Sequence, residues 1–67
     1  MIQVLVNGAA RSLERPMPVA ELIAALALSG RKIAVEKNGE IVPKSAHDST
    51  VVADGDRLEI VVAVGGG

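Results

Sequence analysis

The chain has 67 residues, of which 49% are hydrophobic and 22% charged, a composition typical of one small globular domain. Seven Lys and Arg against eight Asp and Glu leave a net charge of −1, without the basic surplus expected of a nucleic-acid-binding protein. The absence of cysteine excludes disulfides, thiolate catalysis and cysteine-ligated metal centres, and the absence of aromatic residues excludes stacking of bases.

The first two predicted elements form a β-hairpin. Ile2, Val4 and Val6 alternate with the residues between them, which predicts a strand with one buried face. Asn7-Gly8 follows and predicts a type I′ turn, because both central residues of that turn need positive φ. We expect the return strand at about Ala9 to Glu14.

The next predicted element is an amphipathic helix that begins near Pro18 and ends at Gly30. Pro18 suits the first helical turn, where its missing N–H costs nothing, and Gly30 suits the position just after a helix. One apolar stripe recurs at helical spacing: Val19, Leu22, Ile23 and Leu26. Met17 is a poor N-cap, so the start of the helix is its weakest part.

Two extended segments and a polar loop are expected directly after the helix. Ile33 and Val35 begin a third strand, and Asn38-Gly39 predicts a second tight turn. Glu40 to Val42 is a short extended stretch that Pro43 ends. The segment from Lys44 to Thr50 is polar and is expected to be irregular.

The final predicted strand runs from about Arg57 to Val62, after a turn at Asp54-Gly55-Asp56. Its core face comprises Leu58, Ile60 and Val62, opposite Glu59, Val61 and Ala63. The order ββαββ predicts an α+β fold in which one helix covers one face of a mixed four- to five-stranded sheet. The first and last strands are natural central neighbours in such a sheet, which is the β-grasp arrangement.

No constellation of side chains in the sequence predicts an active site. Four polar residues of one loop, Ser45, His47, Asp48 and Ser49, are too close in sequence to converge as a catalytic triad. Asp54, Asp56 and Glu59 lack the ligand spacing of a calcium loop, so we interpret the first two as turn residues. A single histidine cannot assemble a metal site, and the sequence has no phosphate-binding glycine motif.

The C-terminal glycines are the remaining candidate for function. Gly65, Gly66 and Gly67 follow the last predicted strand almost directly, and glycines bury nothing and cost the most entropy to order. A frayed end is one interpretation. The other is a flexible tail, residues 64–67, attached to a domain of residues 1–63, whose Gly65 and Gly66 thread a narrow channel and whose Gly67 presents its α-carboxylate.

Several segments, in order along the chain, resemble known carrier proteins. IQVLV at 2–6, the helix, EIV at 59–61 and the terminal Gly66-Gly67 resemble the ubiquitin-like carriers. More narrowly, a further set resembles the ThiS sulfur carriers of thiazole and thiamine biosynthesis: VLVNG at 4–8, AVE at 34–36, IVPK at 41–44, DGD at 54–56 and AVGGG at 63–67. The resemblance covers essentially the whole chain.

The resemblance implies a chemical role for Gly67. An activating enzyme of the ThiF type would adenylate its carboxylate with ATP and magnesium, and a persulfide derived from a cysteine desulfurase would then displace AMP. The resulting thiocarboxylate would pass its sulfur to thiazole synthase, a ThiG-like partner. The chain itself would bind no cofactor and no metal, and would serve as a protein cosubstrate, not as an enzyme.

Three alternatives stay open at this point. The small subunit of molybdopterin synthase uses the same kind of tail, although such proteins tend to be longer. A β-grasp binding module would have an inert tail, and a protein modifier would be conjugated through Gly67 to lysines. Because small secreted domains usually need disulfides, a chain without cysteine favours the cytoplasm. No apolar run approaches the roughly 20 residues of a membrane span, and the N-terminus does not resemble a signal peptide.

The strand pattern also predicts where partners dock. If the core residues of the first and last strands face the helix, alternation places Leu5, Glu59 and Val61 on the open face of the sheet. Because these two strands are expected to be neighbours, Leu5 and Val61 should form one apolar patch beside the start of the tail. We expect this patch to contact the activating enzyme, with ordinary surface residues as the alternative.

Overall fold

The computed structural model describes residues 1–63, so the expectations for residues 64–67 lie outside the described range. Within that range the strands are β1 (Ile2–Val6), β2 (Ala9–Leu13), β3 (Met17–Pro18), β4 (Ile33–Lys37), β5 (Glu40–Val42), β6 (Val51–Val52) and β7 (Arg57–Val62). Helix α1 spans Val19–Ala25, and a 3-10 turn spans Lys44–Ala46 in the segment expected to be irregular.

Five of these strands form one mixed sheet in the order β2-β1-β7-β4-β5. β1 and β7 run parallel, with Leu5 opposite Arg57 and Val6 opposite Leu58, whereas the other neighbours are antiparallel. The predicted mixed sheet, with its first and last strands adjacent at the centre, is therefore confirmed. Because β7 lies between β1 and β4, the strand that precedes the C-terminal residues is held in the middle of the sheet.

The hydrophobic core lies between one face of this sheet and α1. The five strand residues predicted to face the helix are all buried: Ile2, Val4, Val6, Leu58 and Ile60. They pack with the buried helical residues Val19, Leu22 and Ile23. The alternation of the strands and the helical spacing therefore identified both sides of the core correctly.

The start of α1 is capped by the backbone of a distant loop. Pro18 is the N-cap residue and supplies no side-chain hydrogen bond. Instead, the N–H of Val19 donates to the carbonyl oxygen of Thr50 at 2.8 Å, and the N–H of Ala20 donates to that of His47 at 2.9 Å. These bonds satisfy two of the N–H groups that a helix start leaves free. The weak N-cap noticed in the sequence is thus compensated by tertiary structure.

The prediction that the helix continues to Gly30 is wrong, because α1 ends at Ala25. The N–H of Leu28 donates to the carbonyl oxygen of Ile23, and the N–H of Ala27 to that of Ala24, each at 3.0 Å, which is a Schellman motif. In a continued helix, positions 19 and 28 would be two and a half turns apart, and Leu28 would point away from the apolar stripe. Ending the helix early lets Leu28 pack against the core.

We expect Ala27→Gly to stabilise the protein. Ala27 takes the left-handed position of the Schellman motif, with φ of 60°, which glycine adopts without the steric cost of a Cβ atom. The gain in the free energy of unfolding should be about 1 kcal/mol, measured by urea denaturation. The matched control is Ala24→Gly inside α1, which should lose about 0.5–1 kcal/mol. Equal destabilisation by both glycines would contradict this interpretation of the helix end.

A second, two-stranded sheet was not predicted from the sequence. β3 pairs antiparallel with β6, so that Met17 lies opposite Val52 and Pro18 opposite Val51. Two-residue strands are too short to show alternation, and these two are more than thirty positions apart in the chain. Their pairing closes the end of the core next to the start of α1, where Met17 and Val52 are both buried.

Candidate functional site

The candidate site is the end of β7, because this strand leads directly to the C-terminal glycines. Val62 is opposite Ile33 of β4, and the N–H of Ala63 donates to the carbonyl oxygen of Lys32 at 2.8 Å. The chain is therefore held by backbone hydrogen bonds up to the last described residue. Gly65, Gly66 and Gly67, which the sequence analysis places in the tail, lie outside the described residues.

Asn7 fastens β7 on the side of β1. Its side-chain Nδ2 donates to the carbonyl oxygen of Ile60 at 3.0 Å, and its Oδ1 accepts from the N–H of Ile60 at 2.7 Å. Asn7 has a φ of 51° as the first turn residue, so the backbone leaves β7 at this point. The side-chain amide takes the place of a peptide group and continues the pairing, which the sequence analysis, treating Asn7-Gly8 only as a turn, missed.

Asn38 fastens the start of β7 on the side of β4. Its Oδ1 accepts from the N–H of Arg57 at 2.9 Å, and its own N–H donates to the carbonyl oxygen of Arg57 at 2.8 Å. Its Nδ2 donates to Oδ1 of Asp56 at 3.0 Å. Both Asn-Gly turns therefore hold the strand that carries the tail. The local sequence does not indicate this role, because aspartate would suit either turn equally well. The role of the two asparagines is visible only in the fold, where β7 lies between the two turns.

The carboxylates of the acidic turn before β7 accept hydrogen bonds from the backbone. Oδ1 of Asp54 accepts from the N–H of Gln3, and Oδ2 of Asp56 accepts from the N–H of Ala53, each at 2.8 Å. The interpretation of Asp54-Gly55-Asp56 as a turn is confirmed by these bonds. Within residues 1–63, no group of three or more His, Asp or Glu side chains is arranged to hold a metal ion.

Asp56 is the one described group whose ionisation is clearly perturbed. Partial burial acts to raise its pKa, but the Ala53 N–H, the Asn38 amide and the Lys37 ammonium, whose Nζ lies 3.5 Å from Oδ2, outweigh burial. The net effect holds the pKa of Asp56 below its ordinary value of 3.8. The charged form is favoured by its hydrogen bonds in the folded state.

We expect Asp56 to make stability depend on pH in the acid range. Because the folded pKa is the lower one, the stabilisation is complete above the ordinary value of 3.8 and is lost as pH falls through the folded pKa. Asp56→Asn should therefore lose less free energy of unfolding than the wild type between pH 6 and pH 2.5, measured by urea denaturation. Asn38→Ala, which removes one donor, should give an intermediate slope. Parallel curves for all three proteins would contradict this role.

The three residues predicted to dock partners are exposed on the open face of the sheet, but two of them are not neighbours. Leu5 is 41% exposed, Val61 is 64% exposed, and Glu59 is exposed as well. The parallel register places Leu5 opposite Arg57, four residues before Val61. At about 3.3 Å per residue this separates Leu5 from Val61 by roughly 13 Å. The expected single patch of Leu5 and Val61 is therefore wrong in its arrangement.

The register gives Val61 different neighbours. Val61 lies opposite Ala34, Glu59 lies opposite Glu36, and Glu36 lies opposite Ile41, which is 67% exposed. Glu36 and Ile41 were not predicted to belong to the open face, although alternation with buried Val35 would have indicated Glu36. Glu59 and Glu36 are therefore like charges directly opposite each other, an arrangement that destabilises a sheet. We call these five residues the open-face patch: Ala34, Glu36, Ile41, Glu59 and Val61.

The polar loop that superficially resembles a catalytic triad contributes structure. Nε2 of His47 lies 3.2 Å from the carbonyl oxygen of Val42, and Oγ of Ser49 donates to the carbonyl oxygen of Ala46 at 3.4 Å. The side chains of His47 and Ser49 are thus engaged by nearby backbone, and the carbonyls of His47 and Thr50 cap α1. The described part of the chain also contains no helix of the length and apolarity needed to cross a membrane.

The geometry defines a β-grasp protein in which the last strand, at the centre of the sheet, leads to the C-terminal glycines. The sequence model of the ThiS family matches residues 4–67, so the chain belongs to the ThiS family. A crystal structure of the thiamine biosynthesis protein ThiS from Geobacter metallireducens is 35% identical and superposes with a TM-score of 0.85, covering 98% of this chain and 100% of that one. The expectation of a ubiquitin-like sulfur carrier is confirmed.

Two curated relatives differ in how much of their length this chain matches. A thiazole synthase of Paramagnetospirillum magneticum is 46% identical over 66 residues, which cover 98% of this chain but only 20% of that protein. The chain thus spans a fifth of that relative. The uncharacterized protein ycf40 of Pyropia yezoensis is 32% identical over 98% of this chain and 93% of its own length.

Proposed function

We propose that this protein carries sulfur for thiamine biosynthesis as a thiocarboxylate on Gly67. A carboxylate is a poor electrophile, so a ThiF-like activating enzyme first joins it to AMP, using ATP and magnesium and releasing pyrophosphate. A persulfide sulfur, supplied through a cysteine desulfurase, then displaces AMP at the carbonyl carbon, and reductive cleavage of the S–S bond by a thiol leaves the thiocarboxylate. In this scheme the carrier is a cosubstrate in the cytoplasm, and its partners supply the catalytic groups.

The observation that carries the proposal is the family match, because it continues through the terminal glycines to residue 67. β7 holds the chain by backbone hydrogen bonds up to Ala63, four residues before Gly67. Four extended residues reach at most about 14 Å. A tail of this length, with no side chain after Val64, suits an enzyme that encloses the reacting carbonyl in a narrow channel.

Thiazole synthase is the proposed acceptor of the sulfur. Support comes from the relative of that name, in which a sequence similar to this whole chain forms a fifth of a longer protein. Joining two sequences in one chain keeps them at high effective concentration, which favours partners that act on each other. We therefore expect this chain to act together with a thiazole synthase.

The proposed chemistry is tested by intact mass after incubation with ATP, magnesium, a ThiF-like enzyme and a persulfide donor. We expect the mass gain of one sulfur replacing one oxygen, lost again when thiazole synthase and its other substrates are added. An unchanged mass with an activating enzyme that modifies its own carrier would contradict the proposal. Conjugates to lysine would indicate a protein modifier instead. Sulfur transfer only to molybdopterin synthase would assign the chain to the other pathway.

We also expect the open sheet face to contact the activating enzyme. Leu5→Asp or Val61→Asp should weaken that binding by about 1–3 kcal/mol, a typical loss for a central interface residue. Because Val61 lies within the open-face patch, nearer the tail, its variant should lose more than that of Leu5. The matched control is Val51→Asp, since Val51 is 49% exposed but belongs to β6, outside the five-stranded sheet.

Isothermal titration with the activating enzyme, together with thermal unfolding of each variant, measures this effect. Neither Leu5 nor Val61 is in the core, so unfolding temperatures should stay close to the wild type. Affinities within twofold of the wild type for both variants would remove the sheet face from the interface.

A further inference from the structure

A groove with a basic rim lies next to Ala63, the last described residue. It is a cavity of about 570 Å³ between the end of α1, the segment before β4 and the 3-10 turn. Its polar rim comprises Arg31, Lys32, Lys44 and His47. We call it the basic groove. Its volume falls within the range of about 300–1,000 Å³ that is usual for ligand sites.

The cationic side chains of the rim form no ion pair within the described part of the chain. Within residues 1–63 the ion pairs are Arg15 with Glu21 and Lys37 with Asp56, and neither involves the rim. Arg31, Lys32 and Lys44 are three of the seven Lys and Arg in a chain of net charge −1. A positive site on a protein that is otherwise slightly acidic attracts negatively charged groups selectively.

The floor of the basic groove is apolar. Ile23 is buried there, while Leu28 and Ile33 are partly buried. Leu28 lines the groove because α1 ends early, and the Schellman motif turns the chain so that Leu28 lies next to Ile23. A site for a small inorganic anion would gain nothing from such a floor, whereas a peptide segment with an apolar side chain would bury it.

The position of the groove connects it with the tail. Lys32 lines the groove, and its carbonyl oxygen accepts the hydrogen bond from the N–H of Ala63. Ile33, from the floor, pairs with Val62 at the end of β7. Any protein that takes the last four residues into its active site must therefore approach this rim.

From this arrangement we propose that the basic groove docks an acidic segment of the protein that receives the tail, a loop that presents carboxylates beside an apolar side chain. This inference rests on the proposed function for the identity of the partner, but not for the chemistry of the groove. The carboxylates contact the rim of Arg31, Lys32 and Lys44, and the apolar side chain covers Leu28 and Ile33. The groove opens on the helix side of the sheet, so it adds a contact that the open-face patch does not provide.

The chemistry of the groove is tested with a peptide of three Leu-Glu repeats, acetylated and amidated, followed by amide chemical shifts of the carrier. We expect saturable shifts at residues 30–33 and 44–47, and none with the matching Leu-Gln peptide. The double variant Arg31→Gln/Lys44→Gln should bind about five-fold more weakly, as expected when two exposed ion pairs are removed. Arg11→Gln/Arg15→Gln removes the same charge outside the groove and should bind as the wild type does.

Three results would overturn the groove proposal: no shifts, equal weakening in both double variants, or equal shifts produced by inorganic phosphate. The partner is then tested with purified activating enzyme and purified thiazole synthase. We expect the groove variant to bind at least one of them about five-fold more weakly, with a smaller dependence on salt. Urea denaturation of both double variants checks that they are folded.

These measurements separate the two proposals. A wild type that gains sulfur while the groove variant binds both enzymes normally would refute the groove as a docking site and leave the carrier function intact. Peptide binding that requires Arg31 and Lys44, in a chain that never gains sulfur, would support the chemistry of the groove and refute the proposed function.

Discussion

Deleting Gly67 should abolish thiocarboxylate formation while leaving the fold unchanged. The deletion moves the terminal carboxylate back by one residue, about 3.3–3.6 Å along an extended chain. An enzyme that must place the α-phosphate of ATP against that carboxylate gains its rate from close positioning, and a misplacement of this size costs orders of magnitude. We therefore expect no detectable mass gain after incubation with the activating enzyme, ATP and persulfide.

The same assay should show no product for Gly66→Phe, which keeps the length of the tail but adds a side chain that a narrow channel would exclude. The matched control is deletion of Met1, an exposed residue at the other end of the chain. It should gain sulfur as the wild type does. Circular dichroism and thermal unfolding should be unchanged in all three, since both glycines follow the last strand. A Gly67 deletion that still gains sulfur at the normal rate would refute the carrier function.

Leu58→Ala should unfold a large fraction of the protein. Leu58 is completely buried in the central strand β7, between β1 and β4 and beneath α1. Truncating a buried leucine to alanine costs about 2–5 kcal/mol, and a chain of this length has a total stability of roughly 3–10 kcal/mol. We expect the loss to be at the upper end of that range, because strands on both sides hold the cavity open.

Urea denaturation followed by circular dichroism measures the loss, and Leu5→Ala is the matched control. Leu5 lies in the neighbouring strand but on the open face, so its truncation should reduce the free energy of unfolding much less than that of Leu58. If the two leucines cost the same, the assignment of sheet faces would be wrong. If Leu58→Ala is still folded at room temperature, the assignment of sheet faces is tested by whether it loses more free energy of unfolding than Leu5→Ala.

Most of the fold could be predicted because its elements carry local signals. Ile2, Val4 and Val6 alternate, the stripe from Val19 repeats at helical spacing, and Asn-Gly pairs require positive φ; each signal depends on residues close together in sequence. The same alternation placed Glu59 and Val61 on the open face. Gly65 to Gly67 stood out by composition alone, and the family match now includes them.

What failed depended on residues far apart in sequence. Whether Leu5 meets Val61 is set by the register of β1 on β7, and the register follows from packing that joins the two ends of the chain. The end of α1 at Ala25 depends on where Leu28 finds apolar contact, which is in the core. The pairing of β3 with β6 likewise has no local signal.

The sequence by itself therefore determined the main strands, the presence of the helix and the two faces of the central strands. It also determined that few side chains are suited to catalysis or metal binding, because the chain has one histidine and no cysteine. Tertiary structure alone decided that Asn7 and Asn38 fasten β7, that Glu36 lies between Glu59 and Ile41 on the open face, and that a basic groove lies next to Ala63. The reason is physical: periodicity reports which way a side chain points, whereas its neighbours are chosen by the free energy of packing segments that are distant in the chain.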